Sequence, residues 1–157
     1  MTDIALIWDP ARAAADVAVA QGDLVREDGL RTAVLISLFT DALARPDDVI
    51  PDGGDDRRGW WGDTPVDGAE PDPIGSRLWL LVREKRTEET RRRAETYASD
   101  ALAWLVTDGV AAAVDAVATW GGDRGDQLRL VVTIDRQRGG RASREEFAVQ
   151  WNTEAGR

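Results

Sequence analysis

The sequence predicts an α+β fold with N-terminal strands, a helical middle and a C-terminal antiparallel meander. Three observations carry this. Apolar and polar residues alternate with a period of two near the start and across the last third, and they recur at helical spacing in between. A length of 157 residues suits a single domain, 1–157, with enough chain to bury a core.

Residues 3–8 read as a first strand ending at the Asp9-Pro10 turn. The stretches 14–20 and 23–26 flank Gln21-Gly22, a tight hairpin turn, with Val17 and Val19 on one face. An apolar helix is expected from about Gly29 to Ala44, between Asp28 and Arg45-Pro46, with protein on more than one side. Residues 45–75 hold every proline except Pro10, several glycines and many aspartates. This stretch is too long for an ordinary connector. The Trp-Trp pair at its centre argues for an ordered excursion pinned by Trp60 and Trp61. Ser76 caps a short expected helix from Arg77 to about Arg86. A longer helix is expected from Thr87 to Thr107, with Glu88, Glu89, Arg91, Arg92, Arg93 and Glu95 on a charged outer face and Gly109 at its end. Strands follow at 110–120, where the Ala-rich run also suits a helix, at 128–134 and at 144–152. The loop Arg138-Gly139-Gly140-Arg141 joins the last two.

The chain carries 29 acidic against 20 basic residues, a net charge of −9. Two thirds of that excess falls in residues 45–75, while the C-terminal strands are nearly neutral. Such a layout argues against nucleic-acid binding, which needs a concentrated cationic face. Nineteen of the 20 basic residues are Arg, which suits ion pairs in interfaces, although a GC-rich genome explains the excess more simply. The N-terminus lacks a basic start and a long apolar stretch, so no signal peptide or membrane segment is expected, and the chain is placed in a cytoplasm.

There is no Cys and no His. Disulfides, thiolate metal sites and the serine–histidine and cysteine–histidine mechanisms are therefore excluded. The chemistry left to an enzyme is that of carboxylates, Lys85 and Tyr97. Asp52, Asp55, Asp56, Asp63 and Asp67 could contribute oxygens to a Ca²⁺ ion, but the spacing does not match a calcium loop and turn-forming aspartates are the simpler reading. A glycosidase-like carboxylate pair beside the tryptophans carries little information among 29 acids. No cofactor or metal is expected. Trp8, Trp79, Trp104, Trp120 and Trp151 are read as core residues.

Two features point to protein partners instead. Trp60 and Trp61, with Arg57, Arg58 and Asp63, have the composition of an interface anchor, with one Trp expected to fold back over the domain. The last strand, with Phe147, Val149 and Trp151, could pair its main chain with another subunit or simply close its own sheet.

Three segments carry a family resemblance: Asp3-Ile4-Ala5-Leu6, the loop Arg58-Gly59-Trp60-Trp61-Gly62-Asp63, and Gly75-Ser76-Arg77-Leu78-Trp79-Leu80-Leu81. Together, over essentially the whole chain, they resemble the small baseplate wedge proteins of Mu-like phages and prophages, related to the sheath initiators of contractile tails. Some of those initiators carry a lysozyme-like label. The resemblance implies structural work in the virion tail after assembly in the host cytoplasm. It implies contact with larger wedge subunits and tube or hub proteins, and templating of the first sheath ring through the C-terminal strand. It implies no enzyme, no nucleic acid and no membrane. The competing function is a peptidoglycan-cleaving tail hydrolase using paired carboxylates. One departure stands out: T-even relatives carry a Glu-Pro-Arg motif where this chain reads Thr107-Asp108-Gly109-Val110, so that motif's contacts do not transfer.

Overall fold

The computed structural model describes residues 3–12, 14–27, 29–64, 72–123, 127–138 and 141–152, with only the backbone described at Asp52, Arg138, Arg141, Trp151 and Asn152. The chain opens with a ribbon of six short strands: β1 (Asp3–Ile4), β2 (Leu6–Asp9), β3 (Ala14–Val17), β4 (Val19–Ala20), β5 (Asp23–Leu24) and β6 (Arg26–Glu27). They pair antiparallel as β1 with β6, β2 with β3, and β4 with β5. Gln21 and Gly22 both have positive φ, as a two-residue hairpin turn requires. The expected first strand is broken at Ala5, where three segments meet. There Ala5 N–H donates to Val25 O, Val25 N–H to Ala18 O and Ala18 N–H to Ala5 O. Each segment changes partner at this junction, and the small, buried Ala18 lets them approach.

Helix α1 (Arg31–Phe39) is tied to the ribbon by Thr32, whose Oγ1 donates to Ile4 O and accepts from Leu6 N–H. The Glu27 carboxylate accepts the Thr32 N–H in the helix's first turn. Val34, Leu35 and Leu38 are buried, and the Trp8 ring stacks on Phe39 with centroids 3.7 Å apart. The helix stops five residues before the expected Ala44. Thr40 turns extended, and residues 40–42 exchange backbone hydrogen bonds with Ser76 instead of continuing the helix. Gly75 makes this crossing possible: it has φ +102°, and a Cβ there would sit 2.4 Å from Thr40 O.

The helix expected over 77–86 is a single 3₁₀ turn, Leu78–Leu81, with all four side chains buried. Ser76 still serves its start, its Oγ accepting from Leu78 N–H at 3.2 Å. Thr87 caps α2 (Glu88–Leu102) by accepting from Thr90 N–H, and Ala94, Tyr97, Ala98 and Leu102 face inward. The long helix breaks at Ala103, and α3 (Trp104–Thr107) follows as a separate turn closed by Gly109 at φ +69°.

The remaining strands, β7 (Ala113–Gly121), β8 (Gln127–Arg138) and β9 (Arg141–Asn152), form one antiparallel sheet in that order. The β8–β9 register is unbroken from Gln127 opposite Asn152 to Arg138 opposite Arg141; Gly139-Gly140 lie outside the described residues. Leu128, Leu130, Val132 and Ile134 are fully buried and sit beside Ala116, Ala118 and Val149. The helices pack on this face, giving two layers around one core. Each large side chain buried there contributes about 2 kcal/mol.

Candidate functional site

The excursion that begins at Arg45 is held by its arginines, not by its tryptophans. Arg57 O accepts from Ala44 N–H, while the Arg57 guanidinium donates back to Ala44 O and Arg45 O. Arg58 pairs with Asp41 at 2.6 Å and lies 4.4 Å over the Trp79 ring. Asp56 accepts from Arg58 N–H, and Asp63 accepts from Ile74 N–H at 3.0 Å, closing the loop. Arg57, Arg58 and Asp63 are thus fasteners of the loop. Sequence reasoning missed their partners, because Asp41 and Trp79 lie 17 and 21 positions from Arg58 on different elements.

Trp60 and Trp61 stand at the tip, with centroids 5.3 Å apart. The Trp60 ring covers Gly62, where a Cβ would fall 2.2 Å from Cζ3, and it remains 41% exposed. Trp61 is 84% exposed. The expectation that both tryptophans pin the loop is therefore corrected. Trp104, expected in the core, is 38% exposed, with its Nε1–H donated to Ser37 Oγ.

Beside the loop, Arg77 lies 4.3 Å over the Tyr97 ring and bridges Asp48 at 3.2 Å and Asp100 at 3.1 Å. Burial pushes the Asp48 carboxyl up, but the Arg45 N–H and the Arg77 guanidinium outweigh it and hold it below its ordinary value. A depressed pKa stabilises the fold above the ordinary carboxylate range, and that contribution is lost as pH falls through the folded value. Asp48→Asn should cost about 2 kcal/mol near neutrality. Urea titrations should show the gap to the wild type closing below about pH 4.

The sheet's two edges differ. At β7, Ala118 N–H donates to Glu95 Oε1 and Ala118 O accepts from Arg91, while Trp120 Nε1–H reaches Thr87 O. Part of the expected outer face of α2 is therefore turned onto the sheet and occupies this edge at Ala118. At β9, Gln150 O accepts from Trp8 Nε1–H at 3.0 Å, so it points away from β8. Alternation then aims the N–H and C=O of Arg144, Glu146 and Ala148 away from β8 as well. Among the described residues no hydrogen bond reaches these groups. Val149 is buried and Phe147 packs against the core, so β9 presents its main chain outward at this edge. The Trp151 side chain lies outside the described residues.

Among the described residues no cluster of three or more Asp or Glu could hold a metal ion; Asp67 and the Asp52 side chain lie outside that description. Among the described residues the carboxylates with clearly displaced pKa values, Asp48, Glu88 and Asp135, are all held low, Glu88 to about 2 by its hydrogen bond to Arg91. A glycosidase acid needs the opposite shift. No helix among the described residues is long and apolar enough to cross a membrane.

A family model described as phage protein GP46 matches residues 30–141, from the start of α1 to the first residue of β9. The chain is 52% identical over 115 residues to baseplate protein gp46 of Escherichia phage Mu, covering 73% of this chain and 75% of that protein. It is 40% identical over 119 residues to Mu-like prophage FluMu protein gp46 of Haemophilus influenzae, covering 76% and 77%.

Proposed function

The chain belongs to the phage protein GP46 family, and from that membership we propose that it is a structural component of a contractile tail baseplate. The observation that carries this is the 52% identity to the Mu baseplate protein across three quarters of both chains. The finer reading is a wedge protein that joins larger wedge subunits to tube or hub proteins and templates the first ring of sheath. It works in the virion tail and performs no catalysis.

Two surfaces support that reading. The exposed Trp61 at the tip of an arginine-fastened loop is a large, rigid apolar group placed where a partner can cover it. The outward main chain of β9 is a template for one more strand, the C-terminal pairing through which sheath would be engaged. Each contact need only be modest, because repeated copies in a ring act together.

Trp61→Ala tests the anchor cleanly, since so exposed a side chain contributes within about 0.5 kcal/mol to folding. The variant should keep the wild-type melting curve and yet bind wedge subunits at least about 30-fold more weakly in pull-downs, the loss of one hot spot. Wild-type recovery of the complex would remove Trp61 from the interface. Extending the substitution to Trp60 should deepen the loss. A turbidity assay on purified protein with peptidoglycan should stay flat.

A further inference from the structure

Beneath the loop tip lies an open groove of about 430 Å³, bordered by α1, the end of α2, α3 and the Ile74-Gly75 crossing. Trp60, Trp104 and Ile36 form its apolar walls, and each is between 38% and 41% exposed. Asp3, Asp72 and Asp108 stand around it, and among the described residues no Lys or Arg lines it. Among the described residues none of these three carboxylates has an ion-pair partner.

The same molecule twice builds an aromatic ring flanked by aspartate and fills it with arginine. Arg58 lies over Trp79 and pairs with Asp41; Arg77 lies over Tyr97 and pairs with Asp48 and Asp100. The groove repeats the aromatic and acidic parts of that arrangement without the cation. An aromatic face and a carboxylate both attract a guanidinium or ammonium group, and their walls accept its alkyl stem.

We propose that this groove is a docking site for a segment of another baseplate protein that presents an Arg or Lys beside an apolar residue. The proposal rests on the baseplate reading above and names the chemistry of the partner at this surface. Charge argues against the chain's own segment 65–71 as the occupant, since it carries Asp67 and Glu70 and no base. A second copy would bring the same net charge of −9.

The test places the photo-crosslinker p-benzoylphenylalanine at Ala101, and separately at Ala33, both of which line the groove. Two positions keep the experiment decisive if one variant does not fold. Complete tails carrying each variant are purified, irradiated and mapped by mass spectrometry. The expected product joins this chain to a different tail protein, within a few residues of an Arg or Lys. Asp72→Asn combined with Asp108→Asn should lower the yield per incorporated copy at least fivefold. Crosslinks to residues 65–71, to residues 153–157, to a second copy or to a segment without a base would overturn the proposal. So would the absence of crosslinks in tails that contain the protein. Absence of the wild-type protein from tails would instead remove the baseplate reading itself.

Discussion

Ala148→Pro is expected to give a folded chain whose last strand no longer pairs with a neighbouring subunit. Ala148 is exposed and opposes Val131 in the unbroken β8–β9 register. Its N–H shares the outward direction of Gln150, so a proline there removes no hydrogen bond to β8. Proline is tolerated on such an edge, and the stability cost should stay within about 1 kcal/mol. An incoming strand, by contrast, loses a donor and meets the ring, so incorporation of sheath should fall at least about tenfold. Val149→Pro is the complementary control. Val149 is buried opposite Leu130, and its N–H points the other way, into the ladder. That substitution should cost about 3 kcal/mol or more and broaden or abolish the cooperative melt. Normal sheath assembly by a folded Ala148→Pro protein would leave the β9 edge without a role in pairing.

The contrast between these two neighbours shows what the sequence could and could not reveal. Alternation across 128–134 and 144–152 is a local signal, and it placed Leu130 and Val149 on one face because side chains on a strand alternate whatever surrounds them. The Gln21-Gly22 turn and the start of the long helix at Thr87 were legible for the same reason, since each is decided within a few residues. The end of α1 was not. Leu43 and Ala44 continue a helical pattern, but Gly75 brings a distant segment against Thr40, and the backbone pairs with Ser76 instead. Non-local contact likewise decided the loop. Trp60 and Trp61 were visible as unusual residues, but that Arg57 and Arg58 fasten the loop depends on Ala44, Asp41 and Trp79 arriving from elsewhere. The groove walled by Trp60 and Trp104 had no sequence signal, because the two residues lie 44 positions apart and on different elements.

Glu95→Ala should be the most damaging single change on the helix surface. Glu95 is only 24% exposed, and its Oε1 takes both the Ala118 N–H and the Arg91 guanidinium. Removing it strands a backbone donor at the sheet edge and leaves Arg91, 23% exposed, holding only Glu88 and Ala118 O. The penalty for losing both partners is about 2–4 kcal/mol, since an unmet buried group costs more than the bond was worth. Glu95→Gln separates the two effects. Its amide oxygen can still accept from Ala118 N–H, so the loss should be roughly half as large, and the remainder belongs to the Arg91 pair. In the wild-type molecule Glu95 and Arg91 occupy the β7 edge at Ala118, whereas Trp8 touches the β9 edge at Gln150 O and leaves the outward main chain of Arg144, Glu146 and Ala148 free of a partner among the described residues. Freeing the β7 edge at Ala118 extends a second template for strand addition, which natural sheets guard against. Glu95→Ala should therefore self-associate at concentrations where the wild type does not, visible as a concentration-dependent sedimentation coefficient. A destabilised Glu95→Ala protein that stays at the wild-type oligomeric state would show that the side chain supports the helix–sheet contact without guarding the edge.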